Sequence, residues 1–398
     1  MQNPFSKVLL LTTIIVMDFL TGMEFDLFVP SFPEIQKIFN LTPFWVEALL
    51  SINFIGYCAS LFITGALADR YGRKPVLLSG LLIFIAGSML CLWGGGYELM
   101  LLGRLLQGVG VASPCILSFL IIADLYPLEK QQSLFALLNG ICNISVGIAP
   151  VLGSYISLYY HWQGNFIALL ILGIFSFIMS VLFIPATKPT PSPIKSSPVG
   201  YRDIFKSKPL LLLIIHIIGI AVPYWVFVGM APLLYMEDLG VSLSHFGYYQ
   251  GSLAFLFAIG TLLSSPFINR FSHKKMLSLS NSILILSFVL VMGLVVLNST
   301  SPLMITFCLL IMIVGQILPV TLLYPLSLNL MPEAKGRISG VLQGFKLILC
   351  AISLQFMGYF YNGSFRNIGL MLSVFIFLSI VTLGWIIKNK KLMGTQTN

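Results

Sequence analysis

The chain has 398 residues, of which 58% are hydrophobic and only 9% charged, and its mean hydropathy is +0.97. Soluble globular proteins carry roughly 25% charged residues, so this composition excludes a soluble protein. The formal net charge of +9 would suit a nucleic-acid-binding protein, but the basic residues concentrate in short segments between apolar runs. We therefore expect no nucleic-acid partner.

Twelve apolar runs follow one another along the chain, each long enough to cross about 30 Å of hydrocarbon. Because the backbone in hydrocarbon must satisfy its own hydrogen bonds, we predict that each run forms a helix. The expected fold is an all-α membrane protein with twelve transmembrane helices. The predicted spans are 8–29, 45–67, 75–94, 99–123, 133–158, 165–185, 210–235, 246–268, 276–297, 303–328, 338–361 and 367–387.

The distribution of basic residues predicts the orientation in the membrane. If both termini lie inside, 18 of the 22 basic residues fall in inside segments, and only Lys37 and Arg366 fall in outside loops. By the positive-inside rule this bias predicts cytoplasmic termini. The very short loops are typical of a bacterial protein, so we expect a multi-pass protein of the bacterial inner membrane.

The first predicted span contains three carboxylates, in the stretch MDFLTGMEFDLFVP (17–30). Asp18 and Asp26 are eight residues apart, which places them about 12 Å apart along a helix and on one broad face. Burial favours the neutral form of an acid, so each could load and release a proton in competition with a cationic substrate. Glu24 points to another side of the helix, and the outer vestibule is an alternative position for it.

The segment GALADRYGRKP (65–75) joins the second and third spans. Its glycines permit a tight turn and close helix contact, and Asp69 is placed to meet a helix N-terminus. A basic loop that serves topology alone would explain the arginines but neither the glycines nor Asp69. The pattern G-x-L-x-D-R-x-G-R-K resembles the loop signature of the major facilitator superfamily, matched at Gly65, Leu67, Asp69, Arg70, Gly72, Arg73 and Lys74.

This resemblance implies two six-helix bundles that alternate access to a central cavity. It also implies that Asp69, Arg73 and Asp124 form a charge cluster that locks the outward-open state. The stretch RLLQGVGVA (104–112) in the fourth span similarly resembles the superfamily's membrane-embedded arginine motif. An arginine within a span is expected to have a function and a carboxylate partner, and Glu24 and Asp26 lie at a similar depth. A purely structural ion pair is the alternative.

The stretch NISVGIAPVLGSYI (143–156) resembles the antiporter motif of the fifth span in loosened form. Gly147, Pro150 and Gly153 keep their places, whereas Ala149 and Ser154 replace glycines. Small residues and a proline let two helices pack closely and bend. By resemblance this motif implies an exporter rather than an importer.

Three further stretches indicate a branch of the superfamily. DLFVPSFP (26–33) resembles the end of the first helix in the bicyclomycin/chloramphenicol-resistance branch, and Asp18-Phe19 resembles the paired acidic position of the multidrug facilitators. VPYWVFVGMAP (222–232) is similar to the same proteins, with Tyr224 and Trp225 at pocket positions. The resemblance implies a proton-coupled antiporter that exports amphipathic drugs or related small molecules.

A polar, proline-rich segment divides the chain after the sixth span. The stretch PATKPTPSPIKSSPVGYRDIFKSKP (185–209) favours an extended inside tether. ADRYGRKPVLLSG (68–80) also aligns without gaps on INRFSHKKMLSLS (268–280), which indicates two related halves. We predict an N-terminal bundle over 1–185, a cytoplasmic linker over 186–208 and a C-terminal bundle with a short basic tail over 209–398.

Lys346, within the eleventh span, matches no motif of the family. It could neutralise Asp18 across the cavity, or it could bind a carboxylate or phosphate of the substrate. The second possibility would make the protein an exporter of a specific metabolite or siderophore with an anionic group. Both possibilities remain open at this point.

The sequence contains no signature of an enzyme. It has no paired His/Cys ligands, no HExxH and no GxSxG, so we expect neither a catalytic site, a metal site nor a cofactor. A channel or receptor is an alternative, but intramembrane acids and a two-half repeat favour alternating access. The expected partners are a small-molecule substrate, protons and the lipid bilayer, and we expect a monomer.

Overall fold

A computed structural model describes residues 4–93, 95–186, 200–268, 270–331 and 334–393 of the chain. Residues 187–199, which hold most of the predicted linker, lie outside the described residues. All regular structure in the described part is helical, as predicted. The helices are α1 (Pro4–Asp26), α2 (Phe32–Ile38), α3 (Pro43–Tyr71), α4 (Arg73–Leu92), α5 (Tyr97–Leu125), α6 (Leu128–Phe183), α7 (Tyr201–Lys206), α8 (Lys208–Pro232), α9 (Leu243–Ile268), α10 (His273–Val296), α11 (Pro302–Asn329), α12 (Lys335–Phe360), α13 (Phe365–Lys388) and α14 (Lys390–Met393).

Among the described residues, eleven helical segments are long and apolar enough to cross a membrane. The sequence predicts twelve spans, and the difference lies in α6. This helix contains both the fifth and the sixth predicted spans, and His161 between them has φ 57° and ψ −172°, which is not a helical conformation. The count of twelve and the cytoplasmic termini stay predictions.

The turn between α3 and α4 explains one of the two motif glycines. Gly72 has φ 92°, a conformation that costs little for glycine and is strained for other residues. Gly65 is different, because no atom of the described residues would lie within 4 Å of a Cβ added there. The expected close helix contact is therefore absent at Gly65 in this structure.

The chain divides into two compact units. Unit 1 contains the residues up to 193 together with Ser242–Gly251, and unit 2 contains 194–241 and 252–398. The first turns of α9 thus group with unit 1. The predicted boundaries at 185/186 and 208/209 stay predictions.

Unit 1 is held together by helices in close contact, chiefly α5 against α3 and α4, and α6 against α1. Glycines permit this approach: a Cβ on Gly108 would lie 2.1 Å from the backbone oxygen of Asn53, and a Cβ on Gly110 would lie 2.4 Å from the backbone nitrogen of Phe84. Small residues are the usual means of helix packing in membranes, where lipid is as apolar as the side chains.

Unit 2 packs α8 against α12 and α13 around a core of leucine and isoleucine side chains. Its few buried polar groups are mostly hydroxyls that bond to the preceding helical turn, as Ser373 bonds to the Gly369 carbonyl at 2.7 Å. His216 is buried on α8, and its Nδ1 lies 2.9 Å from the Thr382 hydroxyl of α13. His216 is therefore a hydrogen-bonded residue of the packed interior of unit 2.

Candidate functional site

The three acids of the first span all lie in the last three turns of α1. The helix ends at Asp26, and a short 3-10 turn at Val29–Ser31, with Pro30 inside it, redirects the chain into α2. Asp18 is 2% exposed, and Glu24 and Asp26 are not exposed at all. The end of α1 thus places three carboxylates in the interior of unit 1.

Glu24 is the partner of the intramembrane arginine. Its Oε1 accepts a hydrogen bond from Arg104 Nη1 at 2.8 Å and another from Asn53 Nδ2 at 2.7 Å. Both members of the ion pair are completely buried. Charged groups in such a place are stable only when they are paired and hydrogen-bonded.

The Arg104 guanidinium makes further contacts around this pair. Nη1 also donates to Gln107 Oε1 at 2.7 Å, and Nε donates to the Leu49 backbone carbonyl at 3.2 Å. The guanidinium carbon lies 3.9 Å from the centre of the Phe28 ring, a cation–π contact. Gln107 in turn donates to the Ser88 hydroxyl at 2.8 Å. The guanidinium is thereby held by groups from α1, α3 and α5 in one orientation.

The expected carboxylate partner of Arg104 is therefore confirmed. The vestibule position considered for Glu24 is wrong, because Glu24 is enclosed with Arg104 and Asn53 and has no exposed surface. Glu24 bonds to Asn53 and Arg104, whereas Asp26 bonds to Gln250. Sequence spacing gives the direction of a side chain but not the helix that it meets.

Asp26 and Asp18 have a different environment from Glu24. Asp26 Oδ1 accepts a hydrogen bond of 3.4 Å from Gln250 Nε2, which belongs to the part of α9 in unit 1. The second carboxylate oxygen of each aspartate has no hydrogen-bond partner among the described residues. Neither aspartate forms an ion pair with the described side chains, so unit 1 contains two buried acids that Arg104 does not neutralise.

The turn between α3 and α4 and the end of α5 bring together the three predicted lock residues. Arg73 Nη1 lies 2.5 Å from Asp69 Oδ1, and Arg73 Nε lies 2.9 Å from Asp124 Oδ2. The cluster is open to solvent, since the side chains of Asp69 and Asp124 are 59% and 37% exposed. Arg70 is exposed and lies over the neighbouring Tyr71 ring at 5.2 Å, outside this cluster.

The residues of the predicted antiporter motif pack tightly within unit 1. A Cβ on Gly153 would lie 2.0 Å from the backbone oxygen of Leu27, just after α1. On the α9 side, a Cβ on Gly247 would lie 2.6 Å from the Pro150 oxygen, and a Cβ on Gly251 would lie 2.9 Å from the Gly147 oxygen. The stretch GYYQG (247–251) thus provides a small-xxx-small pair, a pattern that marks helix contacts in membranes and that could have been found from the sequence.

Tyr224, Trp225 and Lys346 lie in unit 2. Tyr224 and Trp225 follow each other on α8, half-buried, with their ring centres 5.4 Å apart and nearly perpendicular. Lys346 lies on α12 and is half-buried. Their predicted roles in substrate binding stay predictions.

Glu47 is a buried carboxylate that none of the sequence motifs contains. It lies in the second turn of α3, has no exposed surface, and neither carboxylate oxygen has a hydrogen-bond partner among the described residues. Leu50 and Phe54, three and seven residues further along the helix, are buried as well. An acid that shares a face with such apolar neighbours is a signal of burial, although its position near the start of a span hides it.

Comparison with known proteins gives a consistent result. Residues 14–354 match the family model of the Major Facilitator Superfamily. The chain is 27% identical over 264 residues to the multidrug resistance protein MdtL of Klebsiella pneumoniae (strain 342), a match that covers 66% of this chain and 67% of the relative. It is 29% identical over 272 residues to MdtL of Citrobacter koseri, with 68% and 69% covered.

Two solved structures are similar in fold. A bacterial homolog of the human lysosomal transporter Spinster, in an inward-facing and unoccupied conformation, has a TM-score of 0.72 at 16% identity and covers 99% of both chains. A D-xylose-proton symporter has a TM-score of 0.75 at 13% identity and covers 96% of this chain and 97% of its own. At these identities the likeness concerns the fold alone.

Proposed function

Since the chain belongs to the major facilitator superfamily, we propose that it is a proton-coupled antiporter that exports amphipathic drugs or related small molecules by alternating access. It is a multi-pass membrane transporter and not an enzyme. The resemblance to the multidrug-facilitator branch is supported by the MdtL relatives. We propose the class of the transported molecule and its exchange for protons.

One observation carries the proposal: unit 1 buries Asp18 and Asp26 without a basic partner among its described residues, next to an acid that has one. A buried ionised carboxylate without a counter-charge is costly, whereas its protonated form is not. Each aspartate is therefore stable in the interior either with a proton or with a cationic group of the substrate. Competition between the two for the same carboxylate couples export to proton entry.

The Glu24–Arg104 pair makes this competition possible. Arg104 is a buried basic side chain of unit 1, and a permanent ion pair between it and Asp26 could not exchange protons readily. Glu24, Gln107 and the Leu49 carbonyl accept hydrogen bonds from Arg104 Nη1 and Nε, whereas Nη2 has no hydrogen-bond partner among the described residues. Asp26 accepts a weak bond of 3.4 Å from the Gln250 amide. We assign Glu24 and Arg104 a positioning role and assign Asp18 and Asp26 the proton-carrying role.

The remaining motifs have roles in the conformational cycle. Asp69, Arg73 and Asp124 act as a lock that must break and re-form at the inner surface. The tight packing at Gly147, Pro150 and Gly153 limits leakage past α6. We further propose twelve spans, with the two arms of α6 on either side of His161 as separate spans, cytoplasmic termini, a monomeric state and a location in the bacterial inner membrane.

The test uses proteoliposomes with an imposed pH gradient and a pH-sensitive dye. Lipophilic cations and neutral drugs should evoke proton release from the wild type, and Asp18→Asn and Asp26→Asn should abolish it. Glu98→Gln, at an exposed acid at the start of α5, is the matched control and should behave as the wild type. Silence of the wild-type protein towards every compound would refute proton-coupled drug export.

An exporter of one anionic metabolite is the second candidate, and Lys346 favours it. This lysine is half-buried on α12 and belongs to no motif of the family, and its ammonium group has the charge that would bind a carboxylate or phosphate of the substrate. Polycarboxylates added to the same proteoliposomes decide between the two. Proton release evoked only by carboxylates, and lost in Lys346→Ala, would favour the metabolite exporter over the drug exporter.

A further inference from the structure

Unit 2 has an apolar groove on its surface that the proposed transport mechanism does not use. It has a volume of about 400 Å³ and is lined by side chains of α7, α8, α12 and α13. Phe345 and Ile352 on its rim are 48% and 60% exposed, so the groove is open on one side. All of its lining residues are hydrophobic or glycine.

The groove is elongated along the helices. On α8 its lining extends from Leu211 to Gly219, and on α12 from Phe345 to Ile352, which correspond to about 12 Å and about 10 Å of helix. Transmembrane helices run roughly along the membrane normal, so the groove has the direction of a lipid acyl chain. A compact drug-like molecule would in addition need a few polar groups to orient it, and the lining residues provide none.

One end of the groove is basic. The short helix α7 contributes Phe205 to the lining, with its ring 6.1 Å from that of Phe345. Arg202, Lys206 and Lys208 are exposed on and just after this helix. Three cations therefore lie within seven residues at the point where the apolar lining begins.

The local fold holds α7 in this position. Asp203, the one acid of the helix, accepts a hydrogen bond of 2.9 Å from the Gly200 N–H and so caps the first turn. Ile204 is completely buried and anchors the helix to the core of unit 2. The carboxylate is occupied by the cap, and the positive charges outnumber it.

We propose that the groove binds one acyl chain of an anionic phospholipid and that Arg202, Lys206 and Lys208 hold its phosphate headgroup. An apolar wall along the membrane normal fits the chain, and a basic cluster at its end fits the negative charge of the headgroup, a combination expected for anionic lipids at the cytoplasmic side of membrane proteins. A zwitterionic lipid would fill the groove equally well but would gain less from the cations. The proposal is independent of the transported substrate.

The experiment reconstitutes the full chain in vesicles that contain a phosphatidylglycerol or a phosphatidylcholine with a photoreactive acyl chain. After irradiation, mass spectrometry locates the labelled residues. The phosphatidylglycerol probe should label the α8 and α12 walls of the groove more strongly than the phosphatidylcholine probe. In Arg202→Gln, Lys206→Gln and Lys208→Gln this labelling should fall, by roughly fivefold for each cation removed.

Two further variants make the result specific. Gly219→Phe fills the groove and should reduce labelling of its walls by both probes, while labelling elsewhere stays constant. Lys274→Gln/Lys275→Gln removes two exposed cations at the start of α10 and should leave labelling of the groove unchanged. Equal labelling of the groove by both probes in the wild type would overturn the proposal, as would a phosphatidylglycerol preference that persists unchanged in all basic-residue variants. Groove walls that neither probe labels would also overturn it, and this is the result expected if a second copy of the chain occupied the groove.

Discussion

Among the residues that the structure describes, unit 1 buries five acidic or arginine side chains, whereas unit 2 buries no acidic side chain, lysine or arginine. Those of unit 1 are at most 2% exposed and are Asp18, Glu24, Asp26, Glu47 and Arg104. The larger polar side chains that unit 2 buries are His216 and Gln316, and its other buried polar residues are serines and threonines. Both units consist of helices of similar length and hydropathy, so this difference is not a consequence of the fold.

The difference matters because the cost of burial depends strongly on charge. A buried hydroxyl that bonds to the preceding helical turn costs little, whereas a buried carboxylate must be paired or neutral. Unit 2 can therefore be regarded as an apolar body. Unit 1 contains groups whose charge must change or be compensated, and the proposed proton exchange is assigned to it for this reason. The predictions that follow test this contrast, from the largest expected effect to the smallest.

The largest effect is expected at Asp18 and Asp26, two of the three buried acids that have no basic partner among the described residues. Asp26→Asn should reduce substrate-evoked proton release to the level of empty liposomes, because an amide cannot carry a proton between the two sides. Asp203→Asn, at an exposed acid of unit 2, should leave substrate-evoked proton release at the wild-type level. Both are measured with the pH-sensitive dye in proteoliposomes. Full activity of Asp18→Asn and Asp26→Asn would remove the functional contrast between the units.

The next effect is expected on stability, at the buried ion pair. Arg104→Met leaves Glu24 buried without its counter-charge, and breaking such a pair typically costs about 3–5 kcal/mol. The variant should unfold at a clearly lower temperature in detergent. Arg366→Met, at an exposed arginine of unit 2, should unfold within a degree or two of the wild type, since exposed cations contribute little.

A double variant sharpens this result. Glu24→Gln combined with Arg104→Met removes both charges, so it should be less destabilised than the sum of the single variants. The difference between the summed losses of the single variants and the loss in the double variant measures the coupling between the two side chains. Additive losses of stability would contradict the pairing described above.

Much of unit 1 could be predicted from its sequence, because the relevant signals are local. Helical spans follow from hydropathy, the carboxylate partner of Arg104 follows from the cost of an isolated charge in a membrane, and the lock residues follow from a compact motif. The choice of Glu24 over Asp26 as that partner could not be predicted. That choice depends on where α1 ends, at Asp26, and on the hydrogen bond from Asn53 of α3 to Glu24. Both are features of the folded structure that a local sequence pattern does not contain.

Other features were hidden for different physical reasons. Glu47 lies near the start of a span, where an acid usually faces the interface with water, so only the packing of α3 identifies it as buried. The break at His161 depends on a left-handed backbone conformation at a residue other than glycine, which composition does not predict. Conversely, Gly65 belongs to a strong motif and yet has open space around it.

A smaller effect on stability is expected from glycines that differ in their surroundings. A Cβ on Gly108 in unit 1 would collide with the backbone of Asn53, so Gly108→Ala should destabilise the protein by about 1–3 kcal/mol. Gly293 in α10 of unit 2 has no atom of the described residues within 4 Å of such a Cβ. Gly293→Ala should therefore stabilise by up to about 1 kcal/mol through helix propensity. Thermal unfolding in detergent measures the stability of both variants. Equal shifts of their unfolding temperatures would contradict the close packing of α3 and α5.

The smallest effect on stability is expected at the inner-loop cluster, where Arg73 pairs with Asp69 and Asp124 at the surface. Exposed ion pairs contribute about 0–1 kcal/mol, so Arg73→Gln should unfold close to the wild-type temperature, unlike Arg104→Met. Its rate of transport should nevertheless fall, because a lock contributes to the balance between conformations more than to folding.

Arg70→Gln, at the adjacent arginine outside the cluster, is the matched control and should retain the wild-type rate. Wild-type transport by Arg73→Gln would leave the cluster as a feature of topology alone, whereas a loss of both stability and transport would make it a structural element like the Glu24–Arg104 pair.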